Sequence, residues 1–331
     1  MQVLIVKLSS LGDVVHAMPV VHDIAAAHPG ARIDWVVEPA FAPLVQRVDG
    51  VRRVIPFALR RWRRAWWTVA VRAEMGEFRR ALQADRYDAV IDLQGLTKSA
   101  AVARLARGPS HGLRNRTDGS SWEWPARWLV DHPIRVEAHV HALDRSRVLC
   151  AAALHYSVQG PPRFCLRHAS EAASRTVAFV HGTSRDDKLW PEAHWIELGR
   201  RLRQQDVHIA LPQAGDVERA RAERIAMAIG DGTEVWPAMD LGALSDKLGA
   251  THGVIGVDSG LSHIAVALGL PHVQIYNFPT AWRTGPQPAH GHRHQLSIEP
   301  VAGAPAPSVD AVWTAWLQVE RQVEQASTHG L

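Results

Sequence analysis

The sequence has little cysteine. Cys150 and Cys165 are the two cysteines among 331 residues. Two cysteines cannot supply the framework of several disulfides on which small secreted domains depend, and such a low number is typical of proteins in the reducing cytoplasm. Hydrophobic residues make up 47% of the chain and charged residues 21%, which is usual for a globular protein. We therefore predict a cytoplasmic protein whose fold depends on a buried apolar core.

The sequence also lacks long apolar runs. No stretch reaches the roughly 18 consecutive apolar residues that predict a membrane-spanning helix. The first apolar run, residues 3–6, ends at Lys7, and no small-residue cleavage site follows it. A secretory signal peptide has a longer apolar segment than this. We therefore expect that no part of the chain crosses a bilayer.

Glycine-rich phosphate motifs are missing from the first strand–turn–helix unit. The β-branched run at residues 3–6 predicts a buried parallel strand, and the apolar periodicity that begins at Asp13 predicts a helix. Neither G-x-G-x-x-G nor G-x-x-x-x-G-K-[ST] lies between them, which disfavours a nicotinamide dehydrogenase. Instead Asp13 places a carboxylate where many nucleotide-binding folds hold a phosphate at a helix N-terminus. As a simple N-cap, Asp13 would have a structural role only.

Clusters of metal-ligating residues are lacking as well. The 19 histidines are scattered, and no Cys/His group has the spacing of a zinc site. Lys188 follows Asp186 and Asp187 directly and would compete with a cation there. We predict neither a metal nor a cofactor.

Charge is distributed unevenly along the chain. Residues 1–170 carry 24 Lys and Arg against 15 Asp and Glu, whereas residues 171–331 carry 13 against 18. This asymmetry predicts two domains with different ligands, the first facing an anionic one. Four arginines alternate with tryptophans in "LRRWRRAWW": Arg60, Arg61, Arg63 and Arg64. Nucleic acid, anionic lipid and acidic sugars all suit such a segment, and a solvated basic face is the structural alternative.

Strand and helix patterns alternate through both halves of the chain. Strands are predicted at 2–7, 33–37, 88–92, 175–182, 207–212, 253–258 and 272–277. Helices are predicted at 14–28, 96–107, 191–204, 216–228, 241–249 and 259–269. This alternation predicts an α/β protein with two doubly wound parallel sheets, at 1–160 and 161–307. A last helix, in 308–331, begins at Ser308, carries a one-sided apolar stripe and is expected to pack back on the first domain.

Two segments of the second half combine features that suit a diphosphate. "HGTSRDDK" follows a predicted strand and offers the hydroxyls of Thr183 and Ser184 together with Lys188. An ordinary polar loop is the alternative. "VDSGLSH" follows another strand, and Asp258 opens a helix whose free N–H groups form an anion site. Simple helix capping by Asp258 is the alternative there.

Two further side chains of the second half are candidates with structural alternatives. His263 is either part of the same site or a satisfied buried histidine. Glu218 is either a ribose ligand or a solvated helix residue. The sequence pattern leaves both open.

Five segments together resemble a known family: "IVKLSSLGDVVHAMP", "RRWRRAWW", "DLQGLTKSA", "GTSRDDKLWPEAHW" and "GVDSGLSHIAVALGLP". They are similar to the type I lipopolysaccharide heptosyltransferases of glycosyltransferase family 9, in matching order from residue 1 to about residue 280. The resemblance implies a GT-B fold, in which two Rossmann-like domains face across a cleft. The acceptor would lie on the first domain and the nucleotide sugar on the second, with no metal.

The resemblance also implies the reaction and its partners. The donor would be ADP-L-glycero-β-D-manno-heptose and the acceptor Kdo2-lipid A, with inversion at the transferred carbon. The enzyme would work at the periphery of the inner membrane, on its cytoplasmic face, without a nucleic-acid partner. Asp13 would then occupy its position because the first domain does not bind the nucleotide.

Carried over residue by residue, the resemblance assigns roles to these positions. Asp13 would be the catalytic base and Lys188 would stabilise the leaving group. The donor would contact Thr183, Ser184, Lys188, Glu218, Met239, Asp258, Ser259, Gly260, Leu261 and His263. The acceptor would contact Ser10, Gly12, Arg60, Arg61, Arg63, Arg64, Gln94 and Lys98. Region 109–135 matches the family less well.

Three other functions stay open on the sequence. Another GT-B heptosyltransferase would use the same motifs on a different acceptor. A nucleotide-sugar epimerase of the same fold would bind the same donor. A nucleic-acid-binding module would account for the Arg/Trp segment, although not for the loops of the second half.

Overall fold

The computed structural model describes residues 1–168, 174–287, 290 and 294–329, and the chain divides into two compact units, Met1–Arg167 and His168–Leu331. The sequence predicted the corresponding boundary between residues 160 and 161. Each unit contains one six-stranded parallel sheet with helices on it. The predicted α/β class with two doubly wound sheets is confirmed.

The sheet of the first unit has the strand order β3-β2-β1-β4-β5-β6. Its strands are β1 (Gln2–Val6), β2 (Arg32–Val37), β3 (Val51–Pro56), β4 (Ala89–Asp92), β5 (Ser110–Leu113) and β6 (His132–Ile134). Its helices are α1 (Leu11–Ala17), α2 (Pro19–Ala27), α3 (Ala42–Val45), α4 (Leu59–Ala65), α5 (Val69–Leu82), α6 (Thr97–Leu105), α7 (Ala126–Leu129) and α8 (Ala142–Leu154). Residues 3–6 of the central strand β1 are fully buried, as expected for a parallel strand covered on both faces.

The sheet of the second unit has the strand order β12-β11-β10-β7-β8-β9. Its strands are β7 (Ser174–Val180), β8 (His208–Leu211), β9 (Thr233–Val235), β10 (Thr251–Val257), β11 (His272–Ile275) and β12 (Gln295–Ile298). Its helices are α9 (Glu192–Arg203), α10 (Asp216–Ile229), α11 (Leu241–Gly249), α12 (Gly260–Ala267), α13 (Ala281–Thr284) and α14 (Val309–His329). A 3₁₀ turn, Asp186–Lys188, follows β7.

Several elements were not predicted from the sequence. The strands β3, β5, β6, β9 and β12 lie toward the sheet edges, where the sequence signal of burial is weaker. The prediction of a single helix at 14–28 is wrong, because two helices, α1 and α2, meet at Met18. Pro19 causes the break because it has no N–H to donate within a continuous helix, and it stands instead at the first position of α2.

The last helix packs on the sheet of its own unit. Val309, Val312, Trp316 and Val319 of α14 are buried in the apolar core that includes Val177 of β7. The predicted apolar stripe is therefore confirmed as a core-facing surface. The prediction that this helix also returns to the first domain stays a prediction. Within the described part of the chain, no helix has the length and apolar character needed to span a bilayer.

Candidate active site

The two sheets have the same topology, and both have a switch point. In each unit the chain runs outward from the first strand in one direction and then reverses, so that β1 lies beside β4 and β7 beside β10. Helices after neighbouring strands at such a point cover opposite faces, which leaves a crevice at the carboxyl ends of the strands. The loops that follow β1, β4, β7 and β10, together with the starts of the helices after them, contain most of the residues predicted to be functional.

Asp13 lies in the first turn of α1, directly after the loop that leaves β1. Its Oδ2 accepts hydrogen bonds from the backbone N–H of Ser10 (3.3 Å) and from Ser10 Oγ (3.0 Å). Its Oδ1 lies 3.5 Å from Lys7 Nζ and 3.4 Å from Arg145 Nη2. The side chain retains 36% of its exposure, whereas that of Lys7 retains 2%. Asp13 thus presents a partly solvent-accessible carboxylate against two buried cations.

The charge state of Asp13 follows from these neighbours. Partial burial opposes ionisation, but the Lys7 ammonium and the Arg145 guanidinium hold the pKa of Asp13 well below its usual value. Burial lowers the pKa of Lys7, while Asp13 opposes that shift. The Asp13 carboxylate is consequently ionised throughout the physiological pH range.

The loop that carries Lys7 and Ser10 is fixed by Gln94 from the neighbouring loop. Gln94 Oε1 accepts hydrogen bonds from the backbone N–H groups of Leu8 (3.1 Å) and Ser9 (3.2 Å). Lys7 Nζ in turn donates to the carbonyl of Leu93 at 3.0 Å. The loops after β1 and β4 are therefore joined by both side chains, and the acceptor-binding role predicted for Gln94 stays a prediction beside this structural one.

Asp92 organises the loop after β4. Its Oδ1 accepts from the N–H groups of Gln94 (2.9 Å) and Gly95 (3.2 Å), and its Oδ2 accepts from Ser99 Oγ (3.1 Å). Gly95 has φ +75°, a conformation that glycine adopts without strain. Burial raises the pKa of Asp92 to about 6 despite these hydrogen bonds. Asp92 is thus a buried carboxyl group close to the loop that holds Asp13.

The predicted acceptor-binding arginines lie on and beside α4. Trp62 points inward and packs against Phe57 and Phe78, with ring centroids 5.3 and 5.4 Å away. Arg61 pairs with Glu74, and Arg63 and Arg64 are exposed. The segment predicted as a basic aromatic stretch is therefore a short helix with one buried tryptophan and an exposed cationic face.

The remaining predicted acceptor residues surround the same carboxyl edge. Arg60 Nε and Lys98 Nζ lie 3.4 and 3.7 Å from the two carboxylate oxygens of Glu38. Gly12 is half-buried in the first turn of α1, one residue before Asp13. Ser10 is the N-cap of that helix.

In the second unit, Lys188 and Asp258 come together from different loops. Lys188 Nζ lies 2.6 Å from Asp258 Oδ2, and His263 Nε2 lies 3.5 Å from Asp258 Oδ1. Gln274 Nε2 contacts His263 Nδ1 at 3.5 Å, which places His263 in a buried polar network. Burial opposes ionisation of Asp258, but His263 and Lys188 hold its pKa well below the usual value.

The loop after β7 and the N-terminus of α12 are adjacent. Thr183 Oγ1 donates to the carbonyl of Asp258 at 3.0 Å, so the two predicted phosphate loops contact one another. Ser259 is the N-cap of α12, which starts at Gly260 and continues with Leu261. Among the described residues, the buried Ser259 Oγ has no hydrogen-bond partner. Ser184 is exposed on the same loop as Thr183.

Glu218 is half-buried, and its carboxylate lies against Gly182 in the loop after β7. Its Oε2 accepts from the backbone N–H of Ala214 at 2.7 Å. A Cβ at Gly182 would lie 2.5 Å from Glu218 Oε1, so glycine is required for this close approach. Met239 is half-buried directly before Asp240, the N-cap of α11.

Three site residues were missed by sequence reasoning. Lys7 and Asp92 are charged residues at the carboxyl ends of apolar strands, and that position was a usable signal. Arg145 lies in α8, about 130 positions from Asp13 in sequence, and its buried side chain gave no local signal.

Known proteins share this architecture and sequence. Residues 75–299 match the family model described as Glycosyltransferase family 9 (heptosyltransferase). The chain is 42% identical over 283 residues to lipopolysaccharide heptosyltransferase 1 of Escherichia coli strain K12, covering 83% of this chain and 88% of that one.

Two solved structures extend the likeness to nearly the whole chain. The structure of E. coli heptosyltransferase WaaC with ADP is 37% identical and superimposes with a TM-score of 0.80, covering 98% of this chain and 99% of that chain. The structure of the same enzyme with ADP-2-deoxy-2-fluoro heptose gives a TM-score of 0.79 at 37% identity, covering 98% and 100%.

Proposed function

Because the chain belongs to glycosyltransferase family 9, the heptosyltransferases, and has the GT-B fold, we propose that it transfers L-glycero-D-manno-heptose from ADP-heptose to the inner Kdo of Kdo2-lipid A. The chain is a heptosyltransferase of lipopolysaccharide core biosynthesis. The observation that carries the finer proposal is that each unit has a polar site at its switch point. The first site presents the partly accessible carboxylate of Asp13 beside Lys7 and Arg145, and the second presents Lys188 and Asp258 beside the N-terminus of α12.

The donor site follows from the second unit. Lys188, the hydroxyl of Thr183 and the N-terminus of α12 would bind the diphosphate, since anions are stabilised by the free N–H groups of a helix N-terminus. Ser259 Oγ is buried and has a hydrogen bond to spare for a phosphate oxygen. Glu218 would hold the ribose hydroxyls, and Met239 would lie against the adenine. The related E. coli WaaC structure was solved with ADP, which supports a donor that contains ADP.

We infer an inverting displacement with Asp13 as the base. The acceptor hydroxyl oxygen forms a bond to the anomeric carbon of heptose as the bond from that carbon to the ADP phosphate oxygen breaks. The hydroxyl proton passes to Asp13, and the negative charge that develops on ADP is offset by Lys188. One carboxylate base with a leaving group on the opposite face is the arrangement of inverting sugar transfer.

The low pKa of Asp13 is compatible with this role. A carboxylate beside Lys7 and Arg145 is a weak base at equilibrium, but it is always in the required ionised form. The acceptor hydroxyl becomes strongly acidic as its oxygen bonds to the anomeric carbon. Proton transfer to Asp13 is therefore expected to accompany bond formation and not to precede it.

We infer that charge compensation for the leaving ADP comes from protein groups and not from a metal. Lys188 and the N-terminus of α12 are both at the proposed diphosphate site. A chelator titration of turnover tests this inference directly. Turnover that falls with chelator and returns with added divalent cation would contradict it.

The acceptor would be bound by the first unit. Arg63 and Arg64 are exposed on α4, the helix that follows β3. Guanidinium groups bind carboxylates and phosphates through paired hydrogen bonds. The Kdo carboxylate and the lipid A phosphates provide such partners. Because that acceptor is lipid-anchored, the enzyme would work at the periphery of the inner membrane, on its cytoplasmic face.

The deciding experiment is an ADP-release assay with purified protein and ADP-heptose. We expect ADP release only when Kdo2-lipid A is also present. Release with a different core acceptor, and not with Kdo2-lipid A, would indicate another heptosyltransferase specificity. An epimer formed from the donor alone would indicate the epimerase alternative.

A further inference from the structure

The first unit exposes four tryptophans in two pairs. Trp66 and Trp67, directly after α4, are 62% and 61% exposed, with ring centroids 6.2 Å apart. Trp124 and Trp128 are 53% and 65% exposed, with centroids 4.3 Å apart. Isolated exposed apolar residues are ordinary, whereas adjacent exposed apolar side chains that form a patch indicate a site of interaction with a protein, a membrane or a ligand. The donor and acceptor contacts described above do not use any of the four.

Both tryptophan pairs lie on segments that leave the carboxyl edge of the first sheet. The helix α4 follows β3, and the segment 114–129 follows β5, so both segments leave parallel strands at the same end. The segment 114–129 also contacts the loop after β4, because the N–H of Glu123 donates to the carbonyl of Gly95 at 2.9 Å. Gly95 is in the loop after β4.

A hydrogen bond and two ion pairs connect the segment that carries Trp124 with α4. Glu123 accepts a hydrogen bond from the N–H of Thr97, at the start of α6, at 2.8 Å. The next residue, Lys98, reaches Glu38, and Glu38 also pairs with Arg60 of α4. The segment bearing Trp124 and the helix preceding Trp66 are thereby joined through one continuous chain of contacts.

Arginines lie beside both tryptophan pairs. Residues 59–69 contain four arginines and no acidic residue. The guanidinium carbon of Arg127 lies 5.2 Å from the ring centroid of Trp128. Tryptophan rings prefer the headgroup region of a bilayer, and nearby arginines are attracted to anionic lipid headgroups. Aromatic rings interleaved with cations thus match the chemistry of an anionic membrane surface.

We propose that the carboxyl edge of the first sheet is a docking face for an anionic lipid bilayer, with Trp66, Trp67, Trp124 and Trp128 inserted at the headgroup level. This docking proposal rests on the proposed function only for the identity of the lipid-anchored acceptor. Asp13 lies in α1, which follows β1 at the same carboxyl edge of the sheet. Docking there would bring the catalytic carboxylate to the sugars that project from the membrane.

The test measures binding of the full chain to lipid vesicles without any acceptor or donor. We expect sedimentation with vesicles of phosphatidylcholine and phosphatidylglycerol, a blue shift of tryptophan fluorescence, and much weaker binding to phosphatidylcholine alone. Exchanging either pair, W66S/W67S or W124S/W128S, should weaken binding at least about tenfold, as loss of two buried aromatic rings requires. High salt should weaken parental binding as well.

A matched control removes exposed apolar residues from the second unit. Met227 and Val301 are 82% and 78% exposed, and the M227S/V301S variant should bind vesicles like the parent. Equal vesicle binding by the parent and by both tryptophan variants would overturn the proposal. Absence of parental binding to anionic vesicles would overturn it too.

A second measurement separates the docking face from the reaction. With a soluble, acyl-free Kdo acceptor, W124S/W128S should release ADP at the parental rate while losing vesicle binding. Loss of ADP release by the parent with every acceptor would count against the proposed function and leave the vesicle result intact. A parental dimer that the tryptophan exchanges convert to a monomer, without change in vesicle binding, would assign the surface to self-association and overturn the proposal.

Discussion

The Nζ of Lys188 lies 2.6 Å from the Oδ2 of Asp258, and this ion pair joins the loops after β7 and β10. Seventy sequence positions separate the two residues, and each came from a different predicted phosphate motif. Because the pair stands at the switch point of the second sheet, the cation is already held where a diphosphate would bind. A bound diphosphate would replace the Asp258 carboxylate as the acceptor of some of the hydrogen bonds that Lys188 donates.

Lys188→Ala should lower turnover on the order of 10²-fold, because a positioned cation offsets the charge that develops on the leaving ADP. Steady-state ADP release at saturating donor measures the effect. Arg185→Ala is the matched control, since Arg185 is an exposed cation of the same loop that pairs with Asp187. Parental turnover in Lys188→Ala would remove Lys188 from the mechanism.

Asp13→Asn should lower turnover about 10²–10⁴-fold, as expected for loss of a general base. Asparagine is similar in size and retains capping ability, but it leaves the buried Lys7 and Arg145 cations without a paired carboxylate, so the variant should fold with a lower thermal midpoint than the parent. Binding of ADP-heptose, measured by calorimetry, should be unchanged, because the proposed donor contacts lie in the second unit. A folded variant with near-parental turnover would show that Asp13 has only a structural role, through its hydrogen bonds with the N-cap residue Ser10.

Gln94→Ala should lower kcat by about tenfold or more and leave the acceptor KM nearly unchanged. The reason is that Gln94 Oε1 holds the N–H groups of Leu8 and Ser9, and a shifted loop would misplace Asp13. Initial rates over a range of acceptor concentrations separate the two constants. Gln83→Ala serves as control, because Gln83 is a half-buried glutamine that is bonded to the Leu105 carbonyl outside the site. A raised KM at parental kcat would instead assign Gln94 to acceptor binding.

Asp92→Asn should make the protein more stable at neutral pH relative to the parent. The pKa of Asp92 is raised to about 6 in the folded chain, so its proton is lost more readily after unfolding. Its stabilising contribution is therefore complete below about pH 4, falls as pH rises to about 6, and is constant above. The difference is roughly 2–3 kcal/mol.

Denaturant unfolding of the parent and Asp92→Asn between pH 4 and 8 measures this difference. The gap between the two free energies of unfolding should widen with pH up to about 6. Asp231→Asn, in an exposed turn, should show no such widening. A constant gap across the range would contradict the prediction.

Arg63→Gln/Arg64→Gln should raise the acceptor KM and flatten its dependence on salt, while the donor KM stays the same. Both guanidinium groups are exposed, so their interaction with anionic sugars is strongly screened by salt. Arg79→Gln/Arg80→Gln on the exposed face of α5 removes the same charge elsewhere and serves as control. Unchanged acceptor kinetics at low and high salt would mean that these arginines form a solvated face.

Much of the architecture could be predicted from local sequence. The fully buried strands β1, β4, β7 and β10 are continuous apolar runs, because covered parallel strands have no polar face. The segments that carry Asp13, Lys188 and Asp258 were recognised because they begin directly after such strands. The edge strands were missed because they are shorter and less buried. The alternation of apolar and polar residues along them is therefore weak.

The sequence by itself determined the fold class, the two switch-point loops and the identities of the main candidate residues, since each depends on neighbours within a few positions. Tertiary structure alone decided the electrostatics. Arg145 approaches Asp13 from α8, Gln94 holds the loop after β1, and Glu218 rests against Gly182. Contacts of this kind join residues far apart in the chain. Charge stabilisation falls off over a few ångströms in space, whatever the separation along the sequence, so only the folded chain fixes the pKa of Asp13.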